Sequence, residues 1–484
     1  MKKFDLVVIG SGPAGEKAAV KAAYFGHSVA LIEKEEKFGG AGVQTGTLPS
    51  KTLKETALYL SGIYEKGLYS VDQKFNRETG LHDFMYRKDI VTDAVGDEVR
   101  DNILAHMITL IKGEASFVDD HRVTVKGHIE ETIYGENIII ATGSYPFQPG
   151  NIPFDKKRVH DSDTILQIDR FPKSLCVLGA GVIGCEYATI FGAMGIKVFL
   201  VNNRDEILGF LDKEIAEALV AQMKKNNIDI LFNNSIEEYS VPAHEDEPIK
   251  LKLKTGEILN VDMFLYAAGR SGNTSRLNVE NAGVKAGPRE TIIVNEKYQT
   301  NVPHIYAVGD VIGFPALAST SMDQGRVAVA HIFNTGDLEE LTTMFPYGIY
   351  TVPEVSMVGL TEEEAAKKGI DYISGYSHYR DISRGKISGA RDDGFMKIIF
   401  EKGSKTIIGV HIIGRIATEI IHYGLSLVQD KKTVANVIST VFNYPTLHDL
   451  YKYACYDGLS NLAGKKMKKP SGVKSASQNQ AGSE

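Results

Sequence analysis

The sequence predicts an α/β protein in which one strand–turn–helix pattern occurs twice and an α+β region follows. Three observations carry that reading. An apolar run breaks into Gly-x-Gly-x-x-Gly at residues 4–23, FDLVVIGSGPAGEKAAVKAA. The pattern returns at residues 174–193, SLCVLGAGVIGCEYATIFGA. From Pro346 to about Ala463, strand-like runs (MKIIF, KTIIGVHIIG) alternate with helix-like ones (TEEEAAKKG, ATEIIHYGLSLVQD, TVANVISTVF).

Each turn has a physical reading. In the first, Gly10 permits the tight turn, Gly12 lets the backbone approach a pyrophosphate, and Gly15 lets helix and strand pack closely. Pro13 and Ala14 complete that motif. Gly179, Gly181 and Gly184 repeat the set, with Val182 and Ile183 between them. In both, a pyrophosphate would sit on a helix N-terminus, where free N–H groups and the helix dipole favour negative charge. One such turn is weak evidence; two, each between a strand and a helix, predict two Rossmann-like dinucleotide-binding domains.

The second strands of these units end differently. SVALIEKEE places Glu33, followed by Lys34, 18 residues after Gly15, where an acid accepts hydrogen bonds from a ribose 2′-OH and repels a 2′-phosphate. KVFLVNNRDE places Asn202, Asn203 and Arg204 at the equivalent end. The first site therefore suits FAD or NAD, and the second tolerates NADP as well as NAD.

Elsewhere, residues 51–63 and roughly 84–112 read as helices, and 114–140 as a strand-rich stretch ending in ENIIIATGSYP. The tail from Gly464, GKKMKKPSGVKSASQNQAGSE, has almost no apolar residues and is expected to be disordered.

Bulk properties narrow the function classes. A chain of 484 residues exceeds one hydrophobic core, so two to four domains are expected. The net charge of −7 and a pI near 6.0 argue against nucleic acid or an anionic membrane as the main partner. No apolar run approaches the ~20 residues needed to span a bilayer. The N-terminal apolar run is short and breaks into glycines, so it reads as a strand rather than a signal peptide. Cys176, Cys185 and Cys455 form no CxxC or CxxxxC pair, which suits a reducing cytoplasm.

With these motifs in hand, the chain resembles the two-dinucleotide flavoprotein disulfide reductase family, which includes dihydrolipoamide dehydrogenase and glutathione reductase. The resemblance runs from Phe4 to about Gly464. It rests on both glycine turns, on ATGSYP with Ala141, Thr142 and Gly143, and on AAGRSGNT with Gly269. IYAVGDV carries Gly309 and Asp310, and PALASTSMDQG carries Ala318. It implies an FAD-binding domain at 1–148 and 270–342, an NAD(P)-binding domain at 149–269, and a C-terminal α+β dimerisation domain at 343–463, before the tail at 464–484. It assigns Asp310 to the flavin's ribityl chain and places Ala318 near the flavin. Ala115 and Ile236 join the cofactor-binding positions by the same resemblance, and a homodimer or higher homo-oligomer is expected.

Two departures from the family pattern decide the expected function. Disulfide reductases carry GG-T-C-V-N-V-G-C-x-P-S-K, whereas this chain reads GGAGVQTGTLPSK from Gly39 to Lys51. After Gly40 and Ala41, Gly42 takes the first cysteine position and Thr47 the second, so no thiolate is available for disulfide exchange. The terminal His-Pro-Thr-x-x-Glu is replaced by NYPTLHD, with Tyr444 for the histidine and Asp449 for the glutamate. An ordinary tyrosine titrates near ~10 and is a poor base at neutral pH. His448 is read as a surface histidine, and Tyr444-Pro445 as a cis peptide.

Within the family, GTLPSKTLKE, NNRDEILGFLD, ALASTSMDQGR, GIYTVPEVSMVG and NYPT are most similar to the soluble, Si-specific NAD(P)+ transhydrogenase branch. That branch usually keeps the first cysteine; Gly42 departs from it. The resemblance implies that hydride moves between NADPH and NAD+ through flavin N5 by a ping-pong mechanism. It pairs Lys51 with Glu186 beside the flavin and nicotinamide, and Val182 lines the nicotinamide pocket. The competing expectations are a thiol-free NAD(P)H diaphorase, oxidase or quinone reductase, and a flavin-binding sensor with little turnover.

Overall fold

A computed structural model describes residues 1–65, 68, 77–244, 246–336, 340–341, 344–390 and 394–464. Residues 465–484 of the tail lie outside the described residues. The chain divides into two compact units. The first comprises Met1–Leu208, Val220–Thr343 and Tyr350–Val352; the second comprises Gly209–Leu219, Met344–Ile349 and Pro353–Glu484.

In the first unit, the apolar run Lys3–Ile9 forms a strand parallel to Val29–Glu33 on one side and to Glu130–Ile140 on the other. Buried Leu6, Val7 and Val8 make it the centre of the sheet. Ile305–Ala307 also runs parallel to Glu130–Ile140, so residues from far along the chain return to this sheet. The second glycine turn follows Ser174–Leu178, the middle strand of a second, fully parallel sheet of five strands. Ser144–Pro146 and Arg270–Gly272 pair antiparallel.

The expected helix at 84–112 is corrected at both ends. The helix runs Arg77–Ala105, and Thr109–Lys112 is instead an edge strand parallel to Val29–Glu33. Met107, with φ of 55°, breaks the helical path. The apolar positions that follow serve strand alternation as well as helical spacing, and pairing decides between them. The expected helix at 51–63 starts earlier, at Thr47, and ends at Ser61, where Gly62 takes the left-handed conformation.

The second unit is a five-stranded antiparallel sheet packed against helices Ala417–Gln429 and Asp449–Leu462. The run TVANVISTVF is helical only over Val434–Ser439, because Thr440 is extended. Lys397 is fully buried in this unit and pairs with Asp212, Glu214 and Glu362 at 2.8–3.0 Å. Burial opposes its charge, but the bonds to Glu214 and Asp212 outweigh that and raise its pKa. Among the described residues, no helix is long and apolar enough to cross a membrane.

Candidate functional site

The first glycine turn leads directly into helix Pro13–Tyr24. Gly10 has φ of +106°, and a Cβ at Gly15 would lie 2.0 Å from the Gly10 carbonyl oxygen, so only glycine closes this turn without displacing backbone. Ser11, inside the turn, is tied to the acidic strand end. Its N–H and its hydroxyl both donate to Glu33 Oε2, at 2.9 and 2.6 Å, and the Glu35 N–H donates to Oε1 at 2.8 Å. Glu33 is buried; Lys34 beside it is exposed.

A cavity of about 440 Å³ opens beside this turn, lined by Ser11, Pro13, Gly42, Thr47, Ala318 and Met322 among others. Both positions that would carry cysteines in the reductase pattern therefore face one space. The glycines pack tightly here: a Cβ at Gly42 would lie 2.7 Å from Pro13 Cγ, and one at Gly40 would lie 3.0 Å from Gly12 Cα. All three cysteines are buried, free and absent from this lining. Burial pushes the Cys176 and Cys185 thiols up, and Cys455 up to about 12, which leaves no thiolate at neutral pH.

Lys51 and Glu186 meet. Lys51 Nζ donates to both carboxylate oxygens, at 2.9 and 2.7 Å. Glu186 is nearly fully buried, whereas the Lys51 side chain keeps 22% of its surface. Sequence reasoning missed the third member, Tyr350. Its backbone N–H donates to Glu186 Oε1 at 2.9 Å, and Lys51 Nζ sits 5.0 Å from its ring centroid. Tyr350 lies in GIYTVPEVSMVG, one of the stretches similar to the transhydrogenase branch, but a backbone donor leaves no side-chain signal of this role.

The second turn has the same backbone and different chemistry. Gly179 has φ of +108°, and a Cβ at Gly184 would lie 1.8 Å from the Gly179 carbonyl oxygen. A Cβ at Gly181 would meet nothing within 4 Å, so backbone is open to a close-approaching group. Val182 and Ile183 begin helix Val182–Ala193. Asn202 is buried, and its side-chain amide donates to the Glu206 carbonyl at 2.7 Å, which fixes the loop beyond it. Asn203 and Arg204 are exposed.

Around Asp310, Ser144 Oγ donates to Oδ2 at 3.0 Å, and the Gly309 N–H donates to Gln324 Oε1. Thr142 Oγ1 is buried and has no hydrogen-bond partner. A buried hydroxyl without a partner is costly, so the Ala141–Gly143 segment is built for a polar group supplied from outside the chain. With the glycine cradle at Gly12 and Gly40, this donor set fits a dinucleotide such as FAD.

Two predicted positions stand apart from direct access to these turns. Ala115 and Ile236 are strand residues whose side chains join apolar cores. Tyr444 belongs to the second unit, where it is 72% exposed and hydrogen-bonds Ser383 Oγ at 2.7 Å. The Tyr444-Pro445 peptide is cis. The reading of His448 as a surface histidine is corrected: it is half-buried, stacked on Tyr451 and flanked by Phe442 and Tyr423. Burial lowers its pKa.

Comparison with known proteins agrees with this geometry. Residues 4–325 match the pyridine nucleotide-disulphide oxidoreductase family, and residues 345–455 match that family's dimerisation domain. The chain is 40% identical over 465 residues to the soluble pyridine nucleotide transhydrogenase of Mycobacterium bovis, covering 96% of this chain and 98% of the relative. It is 39% identical over 467 residues to the protein of that name from Pectobacterium atrosepticum, covering 95% and 98%. Among solved structures it is similar to the copper(II) complex of the HOCl-induced flavoprotein disulfide reductase RclA from Escherichia coli. That likeness has a TM-score of 0.84 at 26% identity, over 94% of this chain and 99% of that one. LpdA from Mycobacterium tuberculosis shares the fold, with a TM-score of 0.85 at 24% identity, over 94% and 99%. Two glycine turns, the matched domains and near full-length relatives lead to one conclusion: the chain belongs to the pyridine nucleotide-disulphide oxidoreductase family, as an oxidoreductase of the flavoprotein kind.

Proposed function

We propose that this protein is an FAD-dependent pyridine nucleotide transhydrogenase, moving hydride between NADPH and NAD+ in a ping-pong cycle at one nucleotide site, with no redox disulfide. The observation that carries the proposal is the cavity beside the first turn, where Gly42 and Thr47 occupy the two thiol positions. Full-length relatives named soluble pyridine nucleotide transhydrogenase support the same reading.

Bound FAD would supply the chemistry, taking hydride at N5 from one nicotinamide and giving it to the next. The chain's own residues bind and orient. The Gly10–Gly15 turn would hold the cofactor's pyrophosphate with backbone N–H groups and a helix N-terminus. Glu33 accepts from ribose hydroxyls, while Thr142 and Asp310 hold the remaining polar groups. The Gly179–Gly184 turn holds the exchanging nucleotide's pyrophosphate. Asn203 and Arg204 accept either a free 2′-OH or a 2′-phosphate, because no carboxylate stands at residue 202 to repel the phosphate. Lys51 would hold positive charge beside the bound cofactor, and Glu186 with the Tyr350 N–H fixes the position of that charge. A second copy of the chain completes the assembly through the dimerisation domain and brings Tyr444 toward the site.

Steady-state competition tests this. With NADPH as donor, turnover onto a spectrally distinct NAD+ analogue is expected to exceed reduction of lipoamide or glutathione disulfide by orders of magnitude. Comparable disulfide reduction would contradict the proposal.

A further inference from the structure

At the far end of the first sheet, three side chains of metal-ligating type gather away from the site described above: Asp120, His121 and His304. Asp120 and His121 lie in the turn between strands Glu114–Phe117 and Arg122–Lys126. His304 immediately precedes Ile305–Ala307, the strand that leads to Gly309 and Asp310. It therefore sits at the opposite end of that strand from the glycine turns.

The local chemistry is suited to a cation. His121 Nδ1 lies 2.8 Å from the Gly135 carbonyl. A carbonyl only accepts, so Nδ1 carries the proton and Nε2 holds a free lone pair. Metal-bound histidines are oriented in this way, with the second ring nitrogen donating to a carbonyl. The His304 ring is stacked on that of His121, with ring centroids 3.8 Å apart and planes 5° from parallel. His304 Nε2 is 2.9 Å from the Asp120 carbonyl and 3.9 Å from its carboxylate. Asp119 is committed to Arg122, whereas the Asp120 carboxylate is exposed. One donor atom from each of the three residues falls within 4.8 Å of the others.

We propose that Asp120, His121 and His304 form a surface site for a divalent transition-metal ion of the zinc class. Two imidazoles and one carboxylate are the donors such ions prefer, whereas calcium and magnesium need more oxygens. Binding requires His304 to move its proton to Nδ1 and turn Nε2 from the Asp120 carbonyl to the ion. The two rings splay, the donors contract toward the ~2.0–2.1 Å metal–ligand distance, and water completes the shell. The bound ion ties the Asp119–His121 turn to the strand that leads to Asp310.

Calorimetric titration of the chelator-washed holoprotein tests the site, with Zn2+ and Mg2+ as probes. The expected result is one Zn2+ per chain, no Mg2+ at the same concentration, and a rise in Tm with Zn2+. His304→Phe, which keeps the stacked ring and removes the ligand, is expected to weaken Zn2+ binding at least tenfold and abolish the Tm rise. His121→Ala is expected to do the same, with flavin content confirming the fold of each variant. An unchanged Zn2+ isotherm in both variants, equal Mg2+ binding, or no Zn2+ binding to the wild type would each overturn the proposal.

Discussion

The two glycine turns have nearly the same backbone and opposite side-chain wiring. In the first, Gly10-Ser11-Gly12 is locked to the acid at the next strand end, with Ser11 giving Glu33 two hydrogen bonds. In the second, Gly179-Ala180-Gly181 has no side-chain donor, and Asn202 replaces the acid. The Ala180 carbonyl instead accepts from the Leu208 N–H at 3.2 Å, and Asn202 turns to Glu206. The first turn is closed by an internal charged contact, which suits a cofactor that stays. The second leaves its exposed face to Asn203 and Arg204, which suits nucleotides that exchange and differ at the 2′ position.

Breaking each turn separately gives the largest expected effect. Gly15→Ala and Gly184→Ala each drive a Cβ into backbone oxygen, at 2.0 and 1.8 Å, and overpacking of this kind costs about 1–3 kcal/mol or more. Gly15→Ala is expected to purify without flavin. Gly184→Ala is expected to stay yellow yet resist reduction by NADPH, as read by the flavin absorbance. Identical losses in the two variants would erase the distinction.

Next comes the lock. Glu33→Gln removes the charge from both Ser11 contacts, and charged hydrogen bonds are each worth about 1.5–3 kcal/mol. Flavin affinity, measured by equilibrium release, is expected to fall by roughly tenfold or more. Asn202→Gln at the equivalent position is expected to leave flavin content unchanged.

Nucleotide choice then separates the loops. Arg204→Gln is expected to lower the NADPH/NADH ratio of kcat/KM by roughly 5–30-fold, about 1–2 kcal/mol of charge-assisted binding at an exposed site. Asn202→Glu is expected to shift the ratio in the same direction, because a carboxylate faces the 2′-phosphate. An unchanged ratio in both would remove this loop from specificity.

Acid should also tell the two glycine-turn sheets apart. Burial lowers the pKa of His160, a fully buried residue on the Val159–Asp161 strand of the second sheet. Its neutral form is favoured in the folded state, so its contribution is present above the ordinary value near ~6.5 and is lost as pH falls. His411 behaves in the same way in the second unit. On acidification, reduction by NADPH is expected to fail before flavin is released, and His160→Leu is expected to flatten that step.

The smallest effect concerns the lost thiol. Gly42→Cys places a Cβ 2.7 Å from the Pro13 ring, and Thr47 still offers no second thiol. Flavin affinity is expected to drop a few-fold with no gain of disulfide reduction, measured with lipoamide.

Much of this site was legible in the sequence because glycine turns and missing cysteines are local. The φ values at Gly10 and Gly179 follow from the motif alone, and the Lys51–Glu186 pair came from resemblance. What stayed hidden depends on tertiary partners. The Tyr350 N–H on Glu186 is a backbone contact between remote segments. Thr109–Lys112 reads equally well as helix or strand until Val29–Glu33 pairs with it. The aromatic packing of His448 and the burial of Lys397 among three carboxylates need the fold itself, because lysine is a residue type found mostly in solvent and histidine is intermediate.

The central claim is that electrons arriving from one nicotinamide leave on another. Anaerobic reduction of the purified holoprotein with NADPH, followed by NAD+, tests it most directly through the flavin spectrum. The account predicts rapid bleaching and then recovery at a rate matching turnover. A flavin that stays reduced after NAD+ is added would contradict it.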